Sequence, residues 1–482
     1  MVAQRPGTQE ANLTEIAVSL FVAAIIAAIV WRYKTVFCLP FFWAALFAFI
    51  FLGLVQIHVQ FGGPSYEYAA AGFAMFFLGL LAADFVFFLR RDKSKIRTRS
   101  LQVKQGSPTA DPKPNGPPRP MRIRLLFPAL PLSVGLFVSL LAATFVTIIF
   151  FASQGFPILA SNPALAWVQS TSGVVNRLMT VFGPGCYAVL GLMAWAIHRE
   201  TGSPMAKGMM YLGLGLAIVA QALLATKSAA ILIYVWFNIL LFYMNKKREF
   251  WKTVLPLIVI VVPVSAIIVA VRMVSYQGYW QAEGIYQTYA DRLTTMAADP
   301  LDFTFKYIQR FGGPMHGRAL HLEMKRINEQ LTGAPKTPVI SEYVYNLMQG
   351  LPPDSVDLSV TLTPEGTGYI EWGMAGLLLY SFLQGVGFGL VHRYLYRKEA
   401  MNLVSLVVWG GIVSYGIQLS STGIILVGLE GVALSILPPL VLLVPFCMFF
   451  LLPMARKYRN TGDRRIGRFP SLPIQADRGA ER

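Results

Sequence analysis

The chain gathers its densest set of chemically useful side chains in Gln309-Arg310-Phe311-Gly312-Gly313-Pro314-Met315-His316-Gly317-Arg318. A guanidinium is planar, permanently charged and able to grip a phosphate through two N–H groups. Histidine moves a proton near neutral pH, and glycine lets backbone approach a ligand closely. The competing reading is a turn with solvated charges. Arg272 directly follows a long apolar run. It is either a side chain snorkelling to the membrane surface or a guanidinium aimed at a phosphate there. Lys227, in Thr226-Lys227-Ser228, is a cation in a tight turn between two apolar runs, open to an anionic group or to a lipid headgroup. Arg177 stands similarly. Glu371 lies where a polar loop turns into a glycine-rich apolar run, Tyr369-Ile370-Glu371-Trp372-Gly373-Met374-Ala375-Gly376. An ionisable group at that depth is either functional or a carboxylate settled at a helix N-terminus. Glu365 reads as more exposed and more ordinary. Asp84 lies near the inner end of its run, where pairing with a nearby arginine accounts for it. His321 and Glu323 have no metal-ligand spacing, so neither metal nor cofactor is expected. Cys38, Cys186 and Cys447 lie inside apolar runs and read as small buried residues.

These side chains need elements to hold them, and the composition says which. Of 482 residues, 55% are hydrophobic and 13% charged, against about 25% charged in soluble domains. Mean hydropathy is +0.54. The net charge of +17 comes without a nucleic-acid-binding signature, so no nucleic-acid partner is expected. Basic membrane-flanking loops explain the charge instead. Crossing the hydrocarbon takes about 20 apolar residues in a helix. The runs here are continuous rather than alternating, which selects helices over a barrel. Eleven candidates follow: 13–31, 36–57, 69–89, 127–151, 179–198, 208–225, 228–245, 253–271, 369–391, 401–421 and 425–455. The last contains Pro438-Pro439 and is expected to kink or split. The first is read as a retained span, because Glu10 and Glu15 weaken the positive leader that a signal peptide requires.

Lysine and arginine gather after spans one, three, seven, nine and eleven: Arg32 and Lys34, residues 90–124, Lys246 to Lys252, Arg393 to Lys398, and 456–468. One arrangement places all of them in the cytoplasm. It is an all-α, polytopic transmembrane helix bundle of about eleven spans, N-terminus out and C-terminus in, with a large helical extracytoplasmic loop. Three spans occupy 1–89, a basic Pro-rich cytoplasmic linker 90–124, spans four to eight 125–271, the large loop 272–368, the C-terminal spans 369–455, and a basic cytoplasmic tail 456–482. Pro112 to Pro118 cannot form a core and reads as a disordered stretch. The large loop is rich in aromatics and basic residues, and 281–296 and 318–331 read as amphipathic helices.

Three segments together resemble the Wzy-type O-antigen and exopolysaccharide polymerases, the repeat-unit polymerases of bacterial envelopes. They are Gly155-Phe156-Pro157-Ile158-Leu159 after the fourth span, Ala225-Thr226-Lys227-Ser228-Ala229 between two spans, and Tyr369 to Gly376 opening a late span. The likeness covers roughly residues 130–450. It implies a metal-independent membrane glycosyltransferase in the bacterial inner membrane, moving a glycan from undecaprenyl diphosphate to a sugar hydroxyl of a second lipid-linked repeat. Its partners would be the two lipid-linked glycans, membrane lipids, a chain-length regulator and a flippase. On that resemblance Arg272, Arg310 and Arg318 stabilise the diphosphate with help from Lys227, His316 or Glu371 is the general base, and Tyr276, Trp280 and Tyr369 hold sugars. An O-antigen ligase and a polysaccharide or lipid transporter are the alternatives.

Overall fold

The computed structural model describes residues 8–33, 35, 37–105, 121–125, 129–160, 178–179, 181–224, 227–245, 298–308, 313–332, 337–352, 355, 360, 362–423, 425–426, 428–434, 436–437 and 440. Seven of its helices are long and apolar enough to cross a membrane. They match expected spans one to four, six, nine and ten. The fifth and seventh positions hold an 18-residue helix, Pro184–Thr201, and an apolar stretch, Leu232–Met244. The eighth position and most of the eleventh lie outside the described residues, as does the expected helix at 281–296.

In chain order the elements are α1 (Thr8–Tyr33), α2 (Leu39–Phe61), α3 (Ser65–Gln105), β1 (Arg122–Arg124), α4 (Ala129–Gln154), α5 (Pro184–Thr201), α6 (Pro204–Leu223) and α7 (Lys227–Asn245). Then come α8 (Asp299–Tyr307), α9 (Arg318–Thr332), α10 (Ile340–Met348), α11 (Pro364–Arg397), β2 (Ala400–Asn402) and α12 (Leu403–Thr422). Local sequence sets many of the boundaries. Pro184 and Pro204 open helices at the position where a missing N–H costs nothing. The Asn402 side chain caps α12 by accepting from the Ser405 N–H at 2.6 Å. Gly202 and Gly423 close α5 and α12 in left-handed conformation. Two features depart from expectation. Helix α3 continues through the basic stretch to Gln105, because residues 90–105 contain neither proline nor glycine and many good helix formers. The helical bundle also carries a small parallel ladder, with Arg122 opposite Ala400 and Arg124 opposite Asn402.

Large apolar side chains such as Leu20, Phe49, Phe85, Phe145 and Leu212 are exposed. In water such surface would mark an interface; on a bundle of this hydropathy it faces lipid. Inside, Trp43, Phe47, Phe73 and Phe76 form the centre of the core, with Phe47 and Phe73 stacked at 4.1 Å. Helices α3 and α11 approach backbone to backbone. A Cβ on Gly79 would lie 2.2 Å from the Phe382 carbonyl oxygen, and one on Gly385 2.1 Å from that of Phe76.

The connections sort to two ends. At one, the ladder joins the linker to the α11–α12 turn, the Met121 N–H donates to the Met244 carbonyl, and the Ile123 N–H donates to the Glu200 carboxylate at 2.9 Å. Asp84 is clasped at this basic end by Arg32 and Arg393, matching its expected pairing. At the other end of α11 lie α9 and the turn that precedes it. The described part of the large loop and the described part of the linker therefore sit at opposite ends of the bundle.

Asp84→Ala would leave two guanidinium groups facing one another. The arginine side chains are 38% and 26% exposed, so the expected loss is about 2–3 kcal/mol, below the cost for a fully buried pair. Thermal melting in detergent reads it directly, and an unshifted midpoint would show that the clasp contributes nothing.

Candidate functional site

Helix α11 is broken at Trp372 (φ −139°, ψ 24°) and Gly373 (φ 61°, ψ −145°). Only glycine takes the second conformation without strain. A Cβ on Gly368 would lie 2.4 Å from the Gly376 carbonyl oxygen, and one on Gly376 2.0 Å from that of Gly368. In a straight helix these residues would be about 12 Å apart, so the chain doubles back. Residues 364–371 form a short arm folded against 374–397. The expected span at 369–391 thus begins after the break, and its first residues belong to a hairpin.

The hairpin tip seizes the turn before α9. The backbone carbonyls of Ile370 and Glu371 accept from the N–H groups of Met315 and His316, both at 2.8 Å. The Glu371 carboxylate accepts the Gly317 N–H and, at 3.1 Å, the Leu320 N–H. It thereby satisfies first-turn amides of α9 that have no partner within the helix, and the helix dipole favours the negative charge. Clasped in this way, His316 is held at φ 49°, the one described non-glycine residue with positive φ. His316 and Arg318 project as exposed side chains, and neither makes an ion pair among the described residues.

Helix α9 repeats this capping at its other contacts. Glu323, 1% exposed, accepts the Ile425 N–H at 3.2 Å and the Leu426 N–H. Arg326 pairs with Glu342 at 3.2 Å and donates to the Thr337 carbonyl at 2.9 Å. Glu329 accepts both the hydroxyl and the amide of Thr337. Burial pushes the Glu329 carboxyl up, but those bonds, with Lys325 and Arg326 nearby, outweigh it and hold the carboxyl below its ordinary value. The loop helices are therefore fastened by carboxylates as well as by the small apolar cluster of Ala319, Ile340, Val344, Leu362 and Ile370.

An apolar groove of about 510 Å³ runs between 374–397 and α12. Leu383, Phe388, Ile412 and Leu419 line it, no charged residue does, and Trp372, Tyr380 and Tyr415 stand along the same lining. Trp372 directly follows Glu371, so this groove adjoins the clasp. A second cavity of about 290 Å³, on the α5, α6 and α7 side of α12, is lined partly by Gln221, Trp236, Ser414 and Gln418.

Of the residues singled out in the sequence, His316, Arg318 and Glu371 come together on this turn. Glu371 is fully buried and both its oxygens are engaged, a geometry that positions neighbours. Tyr369 stacks on Tyr68 at 5.9 Å and meets Phe305 edge-on at 4.9 Å, packed on the core. Lys227 opens α7, its side chain outside the described residues. Arg272, Tyr276, Trp280 and Arg310 also lie outside them. Glu365 corrects its expectation: it is 0% exposed, not an exposed loop residue. The signal that marks it is Thr363-Pro364, a helix start, eight residues before the Trp372-Gly373 break, which folds the arm inward. Among the described residues, no three His, Cys, Asp or Glu side chains converge as metal ligands.

Comparison with protein-family models, curated proteins and solved structures finds no match for this chain.

Proposed function

We propose that this chain is a membrane glycosyltransferase that polymerises undecaprenyl-diphosphate-linked oligosaccharide repeat units at the outer face of the bacterial cytoplasmic membrane. The observation that carries the proposal is the meeting of an exposed His316–Arg318 turn with an apolar groove at its clasp. Polyprenyl diphosphate has the same two halves, an anionic head and an apolar tail. The lysine and arginine at the opposite end of the bundle favour the cytoplasm, which turns the clasp outward.

In this reading an acceptor sugar hydroxyl attacks the anomeric carbon of the donor glycan. The new glycosidic C–O bond forms as the C–O bond to the diphosphate breaks, and the lipid diphosphate leaves with the electron pair. His316 takes the hydroxyl proton. Arg318, joined by Arg272, Arg310 and Lys227, balances charge on the departing diphosphate. Glu371 holds the turn in place. Tyr276, Trp280 and Tyr369 are the aromatic candidates for sugar contact, and the groove receives the polyprenyl chain. A flippase would deliver the repeat units, and a chain-length regulator would act on the growing glycan.

The test is deletion of the gene with surface and carrier-bound glycans resolved by length. Loss of polymerisation leaves single repeats on the carrier or its acceptor. Long chains stranded on the carrier would instead assign a ligase, and repeats retained on the cytoplasmic side a flippase; either result overturns the proposal.

A further inference from the structure

Glu365 is used by nothing described so far. Both its carboxyl oxygens are buried and neither has a hydrogen-bond partner; the Thr363 hydroxyl, 1% exposed, has none either. The Glu365 side chain packs at Cγ against the backbone of Gly72. A Cβ there would lie 3.0 Å from Glu365 Cγ, 3.1 Å from a Leu377 methyl and 3.1 Å from Ser381 Oγ. Thr363 and Ser381 are its polar neighbours, but Ser381 gives its proton to the Leu377 carbonyl at 2.7 Å. The nearby Gln384 side chain also has an unpartnered buried oxygen, while its nitrogen donates to Ser420 at 3.1 Å.

No charge among the described residues offsets this carboxyl. On α3, Glu67 accepts from Tyr66. On α8, Asp302 is held by Ser65 and Lys306. On α9 and α10, Arg326 and Glu342 pair with each other. A Cβ on Gly366 would meet Leu301 and Leu362, and one on Gly423 the Leu362 and Thr363 carbonyl oxygens and the Thr367 hydroxyl, none of them charged. The site lies about 9 Å along the arm from the hairpin tip. A carboxylate so enclosed requires a positive charge beside it or on it. A helix start alone would not mark a ligand site; here it coincides with two buried carboxyl oxygens and a buried hydroxyl that lack a hydrogen-bond partner.

We propose that the Glu365 carboxyl, with the Thr363 and Ser381 hydroxyls, is an intramembrane binding site for one monovalent cation, either a proton or an alkali ion. The site stands apart from the glycosyl-transfer reading and survives if that reading fails.

Full-length protein in lipid nanodiscs should be melted from mildly acidic to mildly alkaline pH in choline chloride, then at alkaline pH with sodium chloride in its place. A ligand that binds the folded state raises the midpoint. A proton site makes the wild type melt higher in acid; a sodium site makes it melt higher in sodium. Glu365→Gln, neutral and nearly isosteric, should keep the high-melting form and lose whichever response the wild type shows. Superimposable pH and sodium profiles for the two proteins would overturn the site. If Glu365→Gln does not accumulate, a lipid-soluble carbodiimide, which modifies protonated carboxyls, replaces it as the probe. Wild-type modification at Glu365 that declines with rising pH or added sodium supports the site. Modification indifferent to both, or absent throughout, refutes it.

Discussion

Arg318→Ala is expected to leave the protein at normal abundance in the membrane while abolishing long glycan chains. The side chain is exposed and makes no ion pair among the described residues, so its removal falls within the small stability changes typical of such positions. Its effect on rate should be large. Removing one preorganised group that meets developing negative charge costs about 10²–10³ in rate. The companion variant is His316→Asn rather than alanine. His316 sits at φ 49°, and asparagine tolerates positive φ where alanine does not. Asparagine cannot take a proton, so the turn should survive while the rate drops by about 10²–10⁴. Protein level by immunoblot and chain length by gel check both variants. Normal ladders from both would remove this turn from the chemistry.

Glu371→Ala should act through structure. It deletes the acceptor for two amides, and hydrogen bonds to a charged group are worth about 1.5–3 kcal/mol each. The expected loss at the clasp is about 3–6 kcal/mol, felt locally at the start of α9 because Ile370 and Glu371 keep their backbone bonds to Met315 and His316. Hydrogen exchange reads this site directly. The Gly317 and Leu320 amides should exchange about 10²–10⁴ times faster, at 1.36 kcal/mol per factor of ten, while amides in the core of α3 stay protected. Chain elongation should fall with them, since His316 and Arg318 ride on that turn. Glu371→Gln keeps one acceptor oxygen and should retain part of both protection and activity. Full protection combined with abolished activity in Glu371→Gln would mean that this carboxyl takes part in the chemistry itself and does more than hold the turn.

The contrast between Glu365 and Glu371 shows why the site was only half legible. Both stand in one polar-to-apolar transition, and position in the hydropathy profile alone ranked Glu371 above Glu365. Their environments depend on amides and methyls from α3, the turn before α9, and the far arm of α11, some of them more than fifty residues away along the chain. Position in a hydropathy profile gives depth along the bilayer normal and says nothing about neighbours across the bundle. Tyr369 illustrates the same point: an aromatic at a membrane edge suits a sugar platform, yet Phe305 and Tyr68 claim its ring. Asp84 was readable because its partners Arg32 and Arg393, though distant along the chain, belong to the basic clusters expected at the same end of the bundle, and a carboxylate within a membrane has few other partners.

The amino-acid sequence by itself determined that this is a chain of apolar helices with its positive charge sorted to particular connections. Those properties follow from additive, local quantities: run length against bilayer thickness, and charge count per loop. Tertiary structure alone decided that α11 folds back at Trp372-Gly373, that Glu371 captures the start of α9, and that Glu365 is sealed without a partner. Each depends on close approach between segments distant in sequence, where one absent Cβ at Gly72 or Gly368 determines which groups meet.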